Sequence, residues 1–202
     1  MNTTALQDGL CEFRWHGRGG QGAISSAKIL AAAAYLAGFK GVTSAPSFGA
    51  ERRGAPVTAS TRLSSEPIRI YSQVESPDVV VVLDDTLVRT AKATAGLKPG
   101  GWLIVNTPRD PDKLGVGEEF CIATADATGA AMDVGLLVSG VAMVNTAMLG
   151  AVAKATGFVS LDELKEAVAE AFSPKAAQKN FEVAKLTFQR TKIRLAAGRA
   201  AD

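Results

Sequence analysis

Apolar and polar residues alternate along residues 11–16, CEFRWH. This period of two predicts a strand with one exposed face. A helix is predicted over about residues 22–37, with Gly38 as its C-terminal stop. The alternation returns over 57–63 and, after the turn SSEP, over 68–70. These two stretches predict an antiparallel hairpin with one face in water.

Continuous apolar runs replace this alternation in the middle of the chain. VVVVL at 79–83, WLIV at 102–105 and FCIA at 120–123 predict strands that are covered on both faces. A helix is predicted over about residues 86–96, before KPGG. Strands that alternate with helices predict an α/β fold with a mainly parallel sheet, an additional antiparallel hairpin and a helical C-terminal third.

The last third contains an uncharged run of 20 residues, Val134–Ala153. Its length would suffice for a membrane span. Glycine, serine, asparagine and threonine interrupt it, and no aromatic belt flanks it, so we expect one helix, buried in the domain or at a subunit interface, that ends near Gly157. Ser160 and Glu163 predict a capping box for a helix to about residue 172, and the pair 173–174, Ser-Pro, begins a final helix.

Composition narrows the class of protein. The 202 residues predict a single domain over 1–202, and a scattered net charge of +2 gives no basic stripe for nucleic acid. The first ten residues have no signal-peptide pattern, and two distant cysteines suit a reducing compartment. We therefore expect a cytoplasmic protein with no membrane contact. Two cysteines do not hold an iron–sulfur cluster alone, and no metal site is expected.

The segment 17–22, GRGGQG, fits the G-x-G-x-x-G pattern of a loop that binds phosphate at the start of a helix. A simple strand-to-helix turn is an alternative. A dinucleotide site is less favoured, because the preceding strand is half polar and no carboxylate appears before Glu51.

A second anion-friendly segment lies in the turn-rich stretch 43–56, which contains SFGAERRGAP. Arginine presents a planar fork that matches phosphate oxygens, although a solvated charged turn is the simpler interpretation. Loops after successive strands gather at one edge of an α/β sheet, so the two segments are expected to face one cleft. Asp84 and Asp85 are interpreted as helix N-cap groups, and His16 as a bystander on the exposed face of its strand.

Four segments together carry a resemblance to a known family: GRGGQG, PSFGAERRGAPVTASTR, VVVVLDD and NTAMLGA. In this order, from about residue 12 to about residue 190, the chain resembles the gamma subunit of 2-oxoacid:ferredoxin (or other acceptor) oxidoreductases. The resemblance implies a complex that decarboxylates a 2-oxoacid on thiamine diphosphate, passes electrons through iron–sulfur clusters and forms an acyl-coenzyme A. It also implies alpha, beta and ferredoxin-like delta subunits as partners.

The chain has no GDG signature for thiamine diphosphate and no C-x-x-C-x-x-C run, so both cofactors are expected in partner subunits. No catalytic residue is assigned. The resemblance associates this module with coenzyme A, and it also picks out Asn145 and Asn180. The alternatives are a purely structural subunit of the same complex and a free NAD- or nucleotide-binding protein. The candidate coenzyme A residues are Gly17, Gly19, Gly20, Gln21, Gly22, Ser47, Glu51, Arg52 and Arg53.

Overall fold

The structure is a computed structural model that describes residues 9–46 and 54–199. Its strands are β1 Leu10–Arg18, β2 Gly41–Pro46, β3 Pro56–Ser64, β4 Val79–Val82, β5 Trp102–Asn106, β6 Cys121–Ala125, β7 Leu137–Val138, β8 Val141–Ala142 and β9 Lys192–Arg194. Its α-helices are α1 Ala23–Leu36, α2 Leu87–Thr90, α3 Ala127–Val134, α4 Asn145–Thr156, α5 Leu161–Ala171 and α6 Pro174–Arg190, with a 3₁₀ turn at Pro111–Leu114.

A seven-stranded sheet in the order β2-β3-β1-β4-β5-β6-β9 organises these elements. Strands β1, β4, β5 and β6 are parallel neighbours. Strand β3 runs antiparallel between β1 and β2, and β9 closes the other edge antiparallel to β6. The predicted fold class, α/β with a mainly parallel core and an antiparallel hairpin, is confirmed.

The position of the hairpin was predicted wrongly. Strand β3 pairs with β2 and β1, so both of its edges are used and the stretch 67–70 forms no strand. The guanidinium of Arg62 instead holds this stretch by donating to the carbonyl oxygens of Ile70 (3.5 Å) and Ser72 (2.6 Å). The residues predicted to be turn-rich contribute β2, which is joined to β3 through 47–53.

The uncharged run Val134–Ala153 is not one helix. Helix α3 ends at Val134, and the exposed hairpin β7–β8 follows before α4 begins. Left-handed backbone at Gly135 and Gly140 (φ 68° and 77°) breaks the helical path. Only α4 is buried as expected, and it ends at the left-handed Gly157. Within 9–46 and 54–199, no helix is long and apolar enough to cross a membrane.

The C-terminal helices follow the predicted signals, whereas the predicted 86–96 helix is short. Ser160 and Glu163 form the reciprocal capping box of α5, and Pro174 starts α6. Helix α2 stops at Thr90. Lys92, two residues later, has left-handed backbone (φ 46°), which breaks the helical path. The Arg14 guanidinium donates to the carbonyl oxygens of Ala93 and Ala95 in the turn that follows.

Two apolar layers cover the parallel strands. Helices α1 and α4 pack on one face, over side chains such as Phe13 and Trp15, which are fully buried. On the other face, a smaller cluster around Val80, Val82 and Leu87 seals the sheet. This arrangement leaves the carboxyl ends of β1, β4, β5 and β6 along one edge, where ligand sites of α/β sheets form.

Candidate functional site

The two anion-friendly segments meet at this edge of the sheet. Gly19 donates its backbone N–H to the carbonyl oxygen of Ala55 (2.9 Å), and Gly54 donates to the carbonyl oxygen of Gly19 (3.1 Å). Strand β2 runs in the direction of β1, since β3 is antiparallel to both, so β2 ends and β3 begins at the edge where β1 ends. The candidate residues Ser47, Glu51, Arg52 and Arg53 lie outside the described residues.

The glycine loop is closed by its own glutamine. The side-chain oxygen of Gln21 accepts the backbone N–H of Arg18 (2.7 Å), and the N–H of Gln21 returns to the carbonyl oxygen of Arg18 (2.9 Å). The oxygen of the Gln21 carboxamide is therefore used inside the loop, and its NH₂ group is the end left for a ligand or a partner subunit.

The glycines of the loop have different structural roles. A Cβ on Gly17 would lie 3.2 Å from both Ala23 Cβ and Leu83 Cδ1, so Gly17 permits the packing of α1 on the sheet. A Cβ on Gly22, the left-handed residue before α1, would lie 2.9 Å from Asn145 Cβ. Gly20 is left-handed too (φ 96°), but a Cβ there would point into open space. Of these three glycines, only Gly20 keeps room for a bound group.

Two helix N-termini converge behind the loop. Helix α1 has no acidic residue in its first turn and no side-chain cap, and the same holds for α4. The Ser26 hydroxyl lies 3.1 Å from the carbonyl oxygens of both Gly22 and Asn145, and so ties the two ends together. Uncapped N-termini carry partial positive charge. The site therefore favours an anion.

Arg18 is a site residue that sequence reasoning missed. Its Nε donates to Asp84 Oδ2 (2.7 Å), Nη1 to the Gly54 carbonyl oxygen (3.2 Å) and Nη2 to Thr86 Oγ1 (2.8 Å). One guanidinium thus joins the glycine loop, Gly54 before β3 and the loop after β4. Its position inside GRGGQG was visible in the sequence, but its partner 66 residues away was not.

The two aspartates after β4 do not act as the predicted N-caps, since Thr86 holds that position in α2. Asp84 Oδ1 instead accepts the backbone N–H of Thr86 (3.1 Å), in the turn that leads into α2. Partial burial opposes its ionisation, but hydrogen bonds from Thr86 and Arg18 prevail and hold the pKa of the Asp84 carboxyl below its usual value. Asp85 Oδ2 lies 3.5 Å from Arg109 Nη2 and accepts a hydrogen bond from Thr107 Oγ1 (3.2 Å).

His16 was expected on an exposed face, and this was wrong. Its residue surface is only 6% exposed. Arg14 Nε donates to His16 Nε2 (3.1 Å). Burial, and then the positive charge of Arg14, lower the pKa of His16 to about 4. The imidazole is therefore neutral near pH 7 and accepts a hydrogen bond.

The two asparagines differ in their surroundings. Asn180 is satisfied, since its Oδ1 accepts from Thr146 Oγ1 (2.6 Å) and its Nδ2 donates to the Ala176 carbonyl oxygen (2.9 Å). It links α4 to α6. Asn145 opens α4 against Gly22, and its Oδ1 is buried without a hydrogen-bond partner in the described part of the chain.

Comparison with known proteins gives the family. Residues 12–190 match the family model for pyruvate ferredoxin/flavodoxin oxidoreductase. The chain belongs to this family. Within the pyruvate ferredoxin/flavodoxin oxidoreductases it is a gamma-type subunit of a multi-subunit 2-oxoacid oxidoreductase complex.

Curated relatives resemble it over nearly their whole length. It is 49% identical over 189 residues to the pyruvate/ketoisovalerate oxidoreductases common subunit gamma of Thermococcus kodakarensis, covering 91% of this chain and 98% of the relative. It is 44% identical over 179 residues to the pyruvate synthase subunit PorC of Methanocaldococcus jannaschii, covering 89% and 96%.

Solved structures agree with the fold. The crystal structure of pyruvate oxidoreductase subunit PORC from Thermotoga maritima superposes with a TM-score of 0.78 at 36% identity, covering 91% of this chain and 98% of that one. A 2-oxoglutarate:ferredoxin oxidoreductase from Magnetococcus marinus, with a TM-score of 0.73 at 24% identity, shares the fold. The match covers 97% of this chain and 34% of that one.

Proposed function

We propose that this gamma-type subunit supplies part of the coenzyme A site of a complex that converts a 2-oxoacid to an acyl-coenzyme A. In this proposal the glycine loop and the segment containing Arg52 and Arg53 hold phosphate groups of the cofactor. The chain carries no catalytic residue. Alpha, beta and ferredoxin-like delta subunits supply thiamine diphosphate and the iron–sulfur clusters, and the cofactor thiol must reach the acyl group held on a partner.

The main observation behind the proposal is the pair of backbone hydrogen bonds between Gly19 and residues 54–55. These bonds hold Gly54 and Ala55, the residues that follow segment 47–53, against the glycine loop. An anion beside Gly20 would then meet the N–H groups at the start of α1 and would lie next to the segment that contains the two arginines. A coenzyme A molecule carries a pyrophosphate and a 3′-phosphate, so its charge suits such a site.

The free-energy contributions of the individual contacts explain why both segments are needed to bind coenzyme A. A helix N-terminus contributes typically about 0.3–1 kcal/mol to an exposed anion. A charge-assisted arginine hydrogen bond contributes about 1.5–3 kcal/mol. Because ordering a flexible cofactor opposes binding by several kcal/mol, neither segment alone holds it well. Together, with partner subunits completing the site, they support binding in the micromolar range.

The strand order supports coenzyme A over a dinucleotide. In a Rossmann site the second strand is a parallel neighbour of the first and ends near an acidic residue that binds the ribose. Here β3 lies antiparallel between β1 and β2, and β2 ends in Ser44, Ala45 and Pro46. Both cysteines are free and buried, which supports the cytoplasmic location that we propose for the complex.

Steady-state kinetics of the reconstituted complex test this function. Arg52→Ala and Arg53→Ala are compared with Arg69→Ala, an exposed arginine outside the two segments. Adjacent arginines rarely point the same way, so we expect at least one of the first two variants to raise the KM for coenzyme A about tenfold or more. Arg69→Ala and all 2-oxoacid decarboxylation should stay at the wild-type level. If both variants keep the wild-type KM, the subunit is structural.

A further inference from the structure

The sheet face that α1 does not cover carries polar side chains on β1 and β3. Arg14 pairs with Ser60 across these strands, and His16 with Thr58, so the four side chains share this face. A cavity of about 410 Å³ opens here, with Arg14 and residues 58–60, 73–75 and 95–96 as its walls. Its volume lies within the range of about 300–1,000 Å³ that is usual for small-molecule sites. None of these residues belongs to the glycine loop.

Arg14 has no negatively charged group among its hydrogen-bond acceptors. Its Nε donates to His16 Nε2 (3.1 Å) and its Nη1 to the carbonyl oxygen of Glu75 (3.3 Å). Its Nη2 donates to the carbonyl oxygens of Ala93 and Ala95. A guanidinium has five N–H donors, and these four bonds leave one N–H of Nη1 without an acceptor in the described part of the chain. The hydrogen bonds of Arg14 are thus largely made, but its positive charge is not balanced.

Two neighbouring arginines show what Arg14 lacks. Arg62, on the same sheet face, pairs with Glu12 (Nε to Oε1, 2.7 Å), and Arg18 pairs with Asp84 at the same distance. A partly buried charge is costly unless an opposite charge accompanies it. Arg14 is partly buried as well, yet none of its acceptors is a carboxylate, and it borders the cavity. The missing negative charge is therefore expected from a group that enters the cavity.

We propose that this cavity binds a singly charged carboxylate, which pairs with the guanidinium of Arg14. The Thr58 hydroxyl and the Gln73 carboxamide line the cavity and supply further hydrogen bonds. Glu75, an exposed residue of the cavity wall, repels a doubly charged anion more strongly than a singly charged one. The cavity thus favours a carboxylate, whereas the glycine loop is proposed to bind phosphate. The carboxylate belongs either to a free acid or to an acidic side chain of a partner subunit.

His16 reports on the occupancy of the cavity, because it is the only histidine of the chain, contacts Arg14 and lies opposite Thr58. Acetate is titrated into the full chain at pH 7 while the imidazole resonances are followed by NMR. We expect a saturable shift of these resonances. Thr58→Val removes one neutral hydrogen bond and should raise the dissociation constant of acetate about three- to tenfold. Arg14→Lys removes the planar fork and should raise this constant about tenfold or more.

The control is Thr43→Val. Thr43 lies opposite Arg62 on the same sheet face, is partly buried like Thr58, and does not line the cavity. This variant should keep the wild-type dissociation constant for acetate. Inorganic phosphate is the second probe and should bind more weakly than acetate. Glu75→Gln should reduce the difference between the two probes, because it removes the negative charge from the cavity wall.

Equilibrium dialysis of labelled acetate against the assembled complex identifies the source of the carboxylate. If a free acid is the ligand, the complex should retain a site that Thr58→Val weakens and Thr43→Val does not. If a partner subunit supplies the carboxylate, the complex should lack this site, and acetate should instead weaken assembly of the wild-type chain. Both results support the proposal. It is overturned if acetate causes no saturable shift of the His16 resonances, if Thr58→Val and Thr43→Val behave alike in the full chain, or if phosphate binds more tightly than acetate.

Discussion

Arg18 and Asp84 form an ion pair, Nε to Oδ2 at 2.7 Å, between the glycine loop and the loop after β4. The same guanidinium holds the carbonyl oxygen of Gly54. Three loops at the carboxyl edge of the sheet are thus connected through one side chain. This contact gives the candidate site a fixed frame before any ligand or partner subunit arrives.

Replacing Asp84 by Asn should lower the free energy of unfolding by about 1 kcal/mol near pH 7, as expected for a partly exposed pair. The folded pKa of Asp84 is depressed, so the pair stabilises the fold above the usual pKa of Asp and is lost as the pH falls through the folded value. In urea unfolding, the difference in the free energy of unfolding between wild type and variant should be nearly the same at pH 7 and pH 5 and smaller at pH 3. Asp133→Asn, which disrupts an exposed pair with Arg190, should have little effect. A constant gap at all three pH values would contradict the assignment.

His16, the only histidine of the chain, allows a direct measurement. Its imidazole resonances should show a titration midpoint near 4, because burial and Arg14 disfavour the charged form. Since the unfolded chain takes up this proton near pH 6.5, stability should fall by about 3 kcal/mol as the pH drops from 6.5 to 4. His16→Gln should lack this part of the pH dependence. A midpoint between 6 and 7 would show that His16 is exposed.

Gly150 lies where α4 crosses α6. A Cβ there would overlap the carbonyl oxygen of Ala184 and lie 2.9 Å from the backbone nitrogen of Phe188. Helix propensity alone predicts that Gly→Ala stabilises a helix by up to about 1 kcal/mol. We expect Gly150→Ala to destabilise the fold by about 2–3 kcal/mol in chemical unfolding. Ala155→Gly in the same helix measures the contribution of helix propensity alone. A stabilising Gly150→Ala would contradict the close crossing.

Features that depend on neighbouring residues in sequence were predictable. The apolar runs of β4, β5 and β6, the Ser160–Glu163 box and the glycine loop before α1 all appear where local patterns placed them. Their causes act within a few residues: burial on both faces of a strand, satisfaction of helix-end N–H groups, and left-handed backbone at Gly22.

Features that depend on distant residues were not predictable. Residues 68–70 alternate like a strand, yet β2 already occupies the free edge of β3. His16 has the pattern of an exposed residue, yet it is buried beside Arg14, whose guanidinium is held by the carbonyl oxygens of Ala93 and Ala95. Asp84 follows a strand as an N-cap would, yet Arg18 binds it from 66 residues away. In each case a tertiary contact overrides a correct local preference.

The central claim is that the open space beside Gly20 receives a phosphate group of coenzyme A. Gly20 and Gly38 form a matched pair, since both are exposed, have φ of 96° and 95°, and have no atom within 4 Å of the position that a Cβ would take. They lie at opposite ends of α1, about 20 Å apart by helix length. Alanine at either position meets a similar backbone penalty of about 1–2 kcal/mol. Their effects on stability should therefore be alike.

The decisive measurement is the dissociation constant of coenzyme A for the assembled complex with each variant. Gly20→Ala should raise it about tenfold or more, because the new methyl group enters the phosphate position and blocks charge-assisted contacts. Gly38→Ala should leave it unchanged. Equal dissociation constants for wild type, Gly20→Ala and Gly38→Ala would show that coenzyme A binds elsewhere in the complex.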